Sequence, residues 1–172
     1  MALRQRLLPV LETIQEFELA SEERYWSGLD LMTRGDALTG IYILGYVAEM
    51  LLKNSYFLLS AATRPTFPVG SQLAQAKLAM SILAPAYKFT SNHDLTYWAI
   101  VLTEKRRTES RPLPLDVETA LMKHVQCLSE NWFVELRYRA GQALPLEIAE
   151  VYESVTWIRT HYLDGTLYSP RR

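Results

Sequence analysis

The chain has 172 residues, about half of them apolar and 22% charged, with a formal net charge of −1. This length and balance fit one globular domain and exclude wholesale disorder. A nonspecific nucleic-acid binder usually has a clear basic excess, so any binding of RNA or nucleotide must be local here. Cys127 has no partner for an internal disulfide, and the sequence opens without the pattern of a signal peptide, so we expect a cytoplasmic protein.

The first predicted elements are two helices separated by a short break. Apolar residues recur at helical spacing from Leu3 to Phe17 and predict an amphipathic helix within residues 1–20. Ser21 is expected to cap a second, short helix. Gly35 is expected to end that helix, because glycine readily adopts the conformation that follows a helix C-terminus.

The third predicted helix is the longest and the most apolar, from Ala37 to about Leu59, with Asp36 as its cap. Gly40, Gly45 and Ala48 lie on nearby faces of this helix and predict that a neighbouring helix approaches it closely there. Polar and charged side chains interrupt its apolar run, and a charge at the centre of a membrane span is costly. We therefore expect a buried core helix and no membrane span.

Proline and glycine divide the rest of the chain into further helices. The expected elements are a loop over 64–70, a helix from Ser71 to about Leu83, a helix starting near Ser91–Asp94, a helix capped by Asp116 and a last helix beginning at Pro145. No strand pattern is apparent. The sequence predicts an all-α fold, an antiparallel up-and-down bundle of five to seven helices. It would form a single domain over residues 1–172, with 164–172 as a C-terminal tail.

Most enzyme signatures are absent from the sequence, which has no phosphate-binding glycine loop, no His-Glu-x-x-His pair and no nucleophile elbow. His124 and Cys127 are three residues apart and could share a metal ion, but two ligands are too few for a site. His124 also lies beside an apolar stripe, so we expect a packed, hydrogen-bonded histidine. No metal and no cofactor are expected.

Glu49 and Lys53 are four residues apart and share one face of the long helix. They are interpreted either as an ion pair on a helix surface or as charges kept to meet a ligand. Ser91 with Asp94 fits a capping box, which would leave His93 exposed in the first helical turn. Alternatively His93 moves protons, since histidine titrates near neutral pH.

The segment from Trp132 to Gly141 is rich in groups that bind anions and stack on planar rings. Arg137 and Arg139 flank Tyr138, a combination suited to a phosphate or a base. The alternative interpretation is that an arginine stacks on Trp132, or pairs with a carboxylate, and simply closes a helix end.

Three segments, in this order, resemble motifs of the HEPN family of helical domains. The quoted segments are Gly45-Tyr46-Val47-Ala48-Glu49-Met50-Leu51-Leu52-Lys53, His93-Asp94-Leu95, and Trp132 through Arg137-Tyr138 with a final helix containing Trp157-Ile158. The resemblance implies a helical bundle, commonly a homodimer. It also implies association with RNA cleavage, nucleotide binding, and toxin–antitoxin or phage-defence modules, sometimes beside a nucleotidyltransferase partner. The site residues it implies are Glu49, Lys53, His93, Asp94, Arg137 and Tyr138.

The chain departs from the ribonuclease members of that family, which have an arginine followed four to six residues later by a histidine. No arginine stands at that distance before any histidine, and the window after Arg137 ends in Gln142, Ala143 and Leu144. Glutamine cannot exchange a proton near neutral pH. We therefore expect a non-catalytic or degenerate HEPN-like module that binds nucleotide, RNA or a partner protein. The alternatives are a metal-independent ribonuclease that uses His93 with Arg137, and a structural protein–protein adaptor.

Overall fold

The computed structural model describes residues 13–59, 66, 68–85, 87–88 and 91–169. These residues form six α-helices and one short 3-10 helix. In chain order they are α1 (Ile14–Thr33), α2 (Ala37–Leu58), α3 (Val69–Leu83), α4 (Leu95–Thr108), α5 (Leu115–Asn131), the 3-10 helix (Val134–Tyr138) and α6 (Pro145–Leu163). No β-strand occurs in these ranges, so the all-α prediction is confirmed there, and the six helices agree with the expected number.

Helix α6 runs in the opposite direction to α1 and to α5, as cross-helix pairs show. Glu22 and Tyr25 of α1 meet Arg159 and Thr156 of α6, so the residue numbers rise on one helix as they fall on the other. The His124–Ser154 and Asn131–Glu150 pairs show the same relation between α5 and α6. The helices thus form a bundle in which α6 is antiparallel to α1 and α5.

Helix α1 is continuous through the position where the sequence predicted a break. Thr13 and Glu16 form a capping box, in which the Thr13 hydroxyl accepts from the Glu16 amide and Glu16 accepts from the Thr13 amide. Ser21 is therefore not a cap. It lies buried in mid-helix and donates to the Glu18 carbonyl at 2.7 Å, a common local bond for serine inside a helix. The rest of the predicted N-terminal helix, residues 1–12, lies outside the described residues.

Helix α2 is the centre of the bundle. Every residue from Val47 to Phe57 is buried, as expected for a helix that is apolar on nearly all sides. Glycines let α1 come close to it: a Cβ added at Gly40 would lie 2.5 Å from Met32 Cγ, and one at Gly28 would lie 2.8 Å from Leu44 Cγ. The predicted close approach at Gly40 is confirmed. Asp36 caps α2 by accepting from the Thr39 amide, and Gly35 follows α1 with φ +89°, both as predicted.

Two predicted caps on later helices are wrong. Asp94 itself is the N-cap of α4, and the Ser91 hydroxyl instead accepts from the His93 amide, so the Ser91–Asp94 capping box does not form. Pro114 occupies the N-cap position of α5, which places Asp116 in the first turn, where a carboxylate is favourable to the helix dipole. Pro145 begins α6 as predicted.

In the part of the chain that the structure describes, none of the helices combines the length with the apolar content that a membrane crossing requires.

Candidate functional site

A buried carboxylate joins two basic side chains at the middle of the bundle. Glu49 is 3% exposed and Lys53 is 5% exposed, and the Lys53 ammonium donates to Glu49 Oε1. The other oxygen of Glu49, Oε2, lies 2.8 Å from Nδ1 of His93, which comes from the segment before α4. Glu49 and Lys53 are therefore not a surface ion pair, and His93 is not a free first-turn residue.

The Glu49–Lys53 pair is desolvated, so each charge depends on the other. Taking an ion out of water costs several kcal/mol unless a partner and further hydrogen bonds compensate. Lys53 has a second contact, with its ammonium 5.2 Å from the centre of the Trp98 ring. His93 supplies the second bond of the carboxylate. Its own side chain is 39% exposed, so this histidine connects the buried pair to the surface.

Two tyrosines one and two turns before Glu49 extend this arrangement along α2. The Tyr46 ring packs edge-on against His93 with centroids 5.6 Å apart, and the Tyr42 hydroxyl donates to the Tyr46 hydroxyl at 3.4 Å. Burial, followed by the hydrogen bond with Tyr42, raises the pKa of Tyr46 well above its ordinary range. Arg137 of the 3-10 helix interacts with the Tyr42 side chain, and this interaction raises the pKa of the guanidinium. A row of contacts thus runs from exposed Arg137 to buried Lys53.

Trp132 fixes the 3-10 helix segment onto α2. Its indole N–H donates to the Tyr42 carbonyl at 3.0 Å, and its ring packs edge-on against Tyr46 with centroids 5.2 Å apart. The indole occupies the space left by Gly45, where an added Cβ would lie 2.1 Å from two ring carbons. A neighbouring helix was predicted to approach at Gly45, but the group that approaches there is a tryptophan side chain.

A cavity of about 410 Å³ opens beside His93, between the start of α4 and the end of α5. Hydroxyl, carboxylate and aromatic groups line it: Ser91, His93, Asp94, Thr96, Ser129, Trp132, Phe133 and Glu135. Its size lies in the usual range for small-molecule sites. A lining of aromatic and hydrogen-bonding groups suits a flat ring that carries polar substituents.

Asp94 borders this cavity but has a structural role. Its carboxylate accepts from the Tyr97 amide at 2.9 Å and from the Tyr87 hydroxyl at 3.0 Å. Burial, with the Asp94 bond as the next cause, raises the pKa of Tyr87 to about 12. The structural interpretation of Asp94 is thus supported, and it is the cap that places His93.

The arginines of the predicted site lie on the surface and outside the cavity lining. Arg137 and Arg139 are exposed, and Tyr138 is 74% exposed, with the Arg137 guanidinium carbon 4.6 Å from its ring centre. They follow α5 in the 3-10 helix and its C-cap and do not close α5 itself. The structure brings Glu49, Lys53 and His93 together. Lys53 is 5% exposed and paired with Glu49, so it is not open to a ligand that also reaches the exposed Arg137.

The sequence interpretation missed Tyr42 and Tyr46, which connect His93 to Arg137. A signal was present, because Tyr42, Tyr46, Glu49 and Lys53 recur at intervals of four, three and four residues and so share one helix face. The role of Trp132 as a wall of the cavity had no such signal, since it depends on a contact between residues far apart in the chain.

His124 is a packed histidine, as predicted. It is buried, and its Nδ1 lies 3.1 Å from the Ser154 hydroxyl. Among the described residues, no cluster of three or more histidine, cysteine or acidic side chains is arranged to hold a metal ion.

Comparison of the chain with protein-family models, with curated proteins and with solved structures gives no match in any of the three.

Proposed function

We propose that this protein is a HEPN-like helical module that binds a nucleotide or RNA, with a base against the aromatic wall of the His93 cavity and a phosphate at Arg137. The observation that supports it most is the row of contacts from His93 through Tyr46 and Tyr42 to Arg137. This row connects a histidine at the cavity with an exposed guanidinium through one tyrosine pair.

The distance between the cavity and Arg137 is compatible with a ligand that reaches both. Val134 has its side chain at the cavity, and Arg137 follows three residues later in the 3-10 helix. At about 2 Å of rise per residue, the two positions are about 6 Å apart along the helix axis. A nucleotide is longer than this, so its base and phosphate can occupy the two places together. The exposed Tyr138 ring adds a surface on which a further base can stack.

The charges support a local site and not a broad basic surface. Lys53 is committed to Glu49 inside the core, so it is not available to an anion. Asp94 and Glu135 at the cavity disfavour a phosphate there and favour the amino or hydroxyl groups of a base or ribose. The phosphate is therefore assigned to Arg137, outside the cavity.

Arg137→Ala is expected to weaken nucleotide or RNA binding about tenfold while the protein stays folded, because one charge-assisted hydrogen bond to phosphate is lost at an exposed position. Titration calorimetry with a panel of mononucleotides and short RNAs measures the dissociation constant. Arg24→Ala is the matched control, since Arg24 is an exposed arginine on α1 and its loss should leave binding unchanged. If wild type binds no member of the panel, the proposal is wrong and the adaptor alternative takes its place.

RNA cleavage is a second candidate function, favoured by the bond between Glu49 and His93. A carboxylate on Nδ1 fixes the orientation of an imidazole and leaves the other nitrogen for proton transfer. His93→Gln is expected to lower a cleavage rate about 100-fold or more, measured with fluorescent RNA in a buffer that contains a metal chelator. Arg24→Ala should cleave as wild type does. Wild-type protein that binds RNA but leaves it intact would exclude this activity and leave the binding function in place.

A further inference from the structure

Two histidine rings stack on one indole where α5 meets α6. The His124 and Trp157 rings are 4.9 Å apart and 28° from parallel, and the Trp157 and His161 rings are 3.8 Å apart and 22° from parallel. We call these three residues the imidazole–indole stack. His124 belongs to α5, and the other two belong to α6, so the stack joins the two helices.

His161 can accept a proton without losing its present contacts. Its Nδ1 lies 2.9 Å from the Trp157 carbonyl, which only accepts hydrogen bonds, so Nδ1 carries the hydrogen and Nε2 is left to accept a proton. The residue lies in the last turn of α6, where the helix dipole favours a cation. Asp164, just beyond the helix, interacts electrostatically with it. A cation also binds an indole face more strongly than a neutral ring does.

Protonation of His124 has the opposite effect on the stability of the fold. It is only 9% exposed, and burial lowers the pKa of its imidazole. Glu153 on α6 attracts a proton to His124, whereas Lys123 on its own helix and His161 on α6 repel it. In the range between the lowered and the ordinary value, the unfolded chain binds the proton and the folded chain does not. His124 therefore makes the fold less stable as pH falls below about 6.5.

We propose that the imidazole–indole stack is a pH-sensitive clasp between α5 and α6, which protonation of His161 tightens and protonation of His124 opens. The clasp acts on the candidate site through α5, because Ser129 and Trp132 at the end of this helix line the His93 cavity. The two histidines give one contact two opposite responses as the medium becomes acidic.

The test follows the full chain from pH 8 to pH 5. The protein has three histidines and four tryptophans, so single variants assign each signal. Histidine proton resonances report the two titrations, and the difference in fluorescence between wild type and Trp157→Phe reports the indole. We expect the Trp157 signal to change as His161 titrates and this change to be absent in His161→Gln. At pH 6 wild type should melt about 2 °C above His161→Gln, and by less at pH 8.

A second variant tests the opening step. His124→Gln keeps a hydrogen-bonding group toward Ser154 and is expected to lose less stability than wild type when pH falls from 6.5 to 5. If wild type and His161→Gln show the same pH profiles of Trp157 fluorescence and melting temperature, the proposal of a pH-sensitive clasp is wrong. If His124→Gln does not fold, hydrogen exchange of α5 and α6 amides in wild type decides. Protection that does not fall below the titration of His124 would overturn the opening step.

Discussion

Glu49→Leu is expected to lower the free energy of unfolding by about 3–5 kcal/mol, because it leaves the Lys53 ammonium buried without its carboxylate. Lys53 is 5% exposed, so water cannot replace the lost partner unless the surrounding core opens. His93 loses its bond too, but its side chain is 39% exposed and can turn to solvent. Urea unfolding followed by circular dichroism measures the change.

The double variant Glu49→Leu with Lys53→Met shows whether the loss of stability comes from the unpaired Lys53 charge or from poorer packing of the new side chain. Replacing both members of a buried ion pair by apolar residues of similar volume is often neutral. The double variant should therefore recover most of the stability that the single variant loses. A double variant as unstable as the single one would show that the pair matters through its shape and not through its charge.

Gly45→Ala is expected to destabilise the protein by about 2–3 kcal/mol and to lower the melting temperature by roughly 5–10 °C. The added methyl group would overlap the Trp132 ring, whose nearest carbons lie 2.1 Å from its position. Trp132 would have to move, which breaks its bond to the Tyr42 carbonyl and displaces one wall of the His93 cavity. Calorimetric melting measures the first effect, and near-UV circular dichroism measures the second.

Gly70→Ala is the matched control for this change. Gly70 lies in the first turn of α3, and an added methyl group there would meet nothing within 4 Å. Alanine is the better helix former, so this variant should gain about 0.5–1 kcal/mol. If both glycine variants melt at the same temperature, Trp132 does not occupy the space beside Gly45 as described.

Helices could be predicted from the sequence because their signals are local. The Gly35–Asp36 junction combines a left-handed glycine with a capping carboxylate, and Pro145 fits the first turn of α6. The predictions of helix caps failed where two local signals competed. Ser21 resembles a cap, yet the Thr13–Glu16 box begins the helix earlier, and the serine then bonds back to Glu18.

The candidate site was only partly predictable, because its contacts join distant parts of the chain. Glu49 and Lys53 were recognised as a pair from their spacing, but their burial depends on how the other helices, α4 among them, pack over α2. The bond from Glu49 to His93 crosses 44 residues, and that from Trp132 to Tyr42 crosses 90. Periodicity along one helix cannot show which distant side chain meets it.

The position of Trp132 has a consequence for redesign of the cavity. The Trp132 side chain has a fixed position, because its indole fills the space left by Gly45 and donates a hydrogen bond to the backbone of α2. The rest of the rim includes exposed side chains, among them Ser91, Ser129 and Glu135. Substitutions on this rim can change the size and charge of the cavity without repacking the core. A library confined to these three positions is the economical route to variants with altered ligand preference.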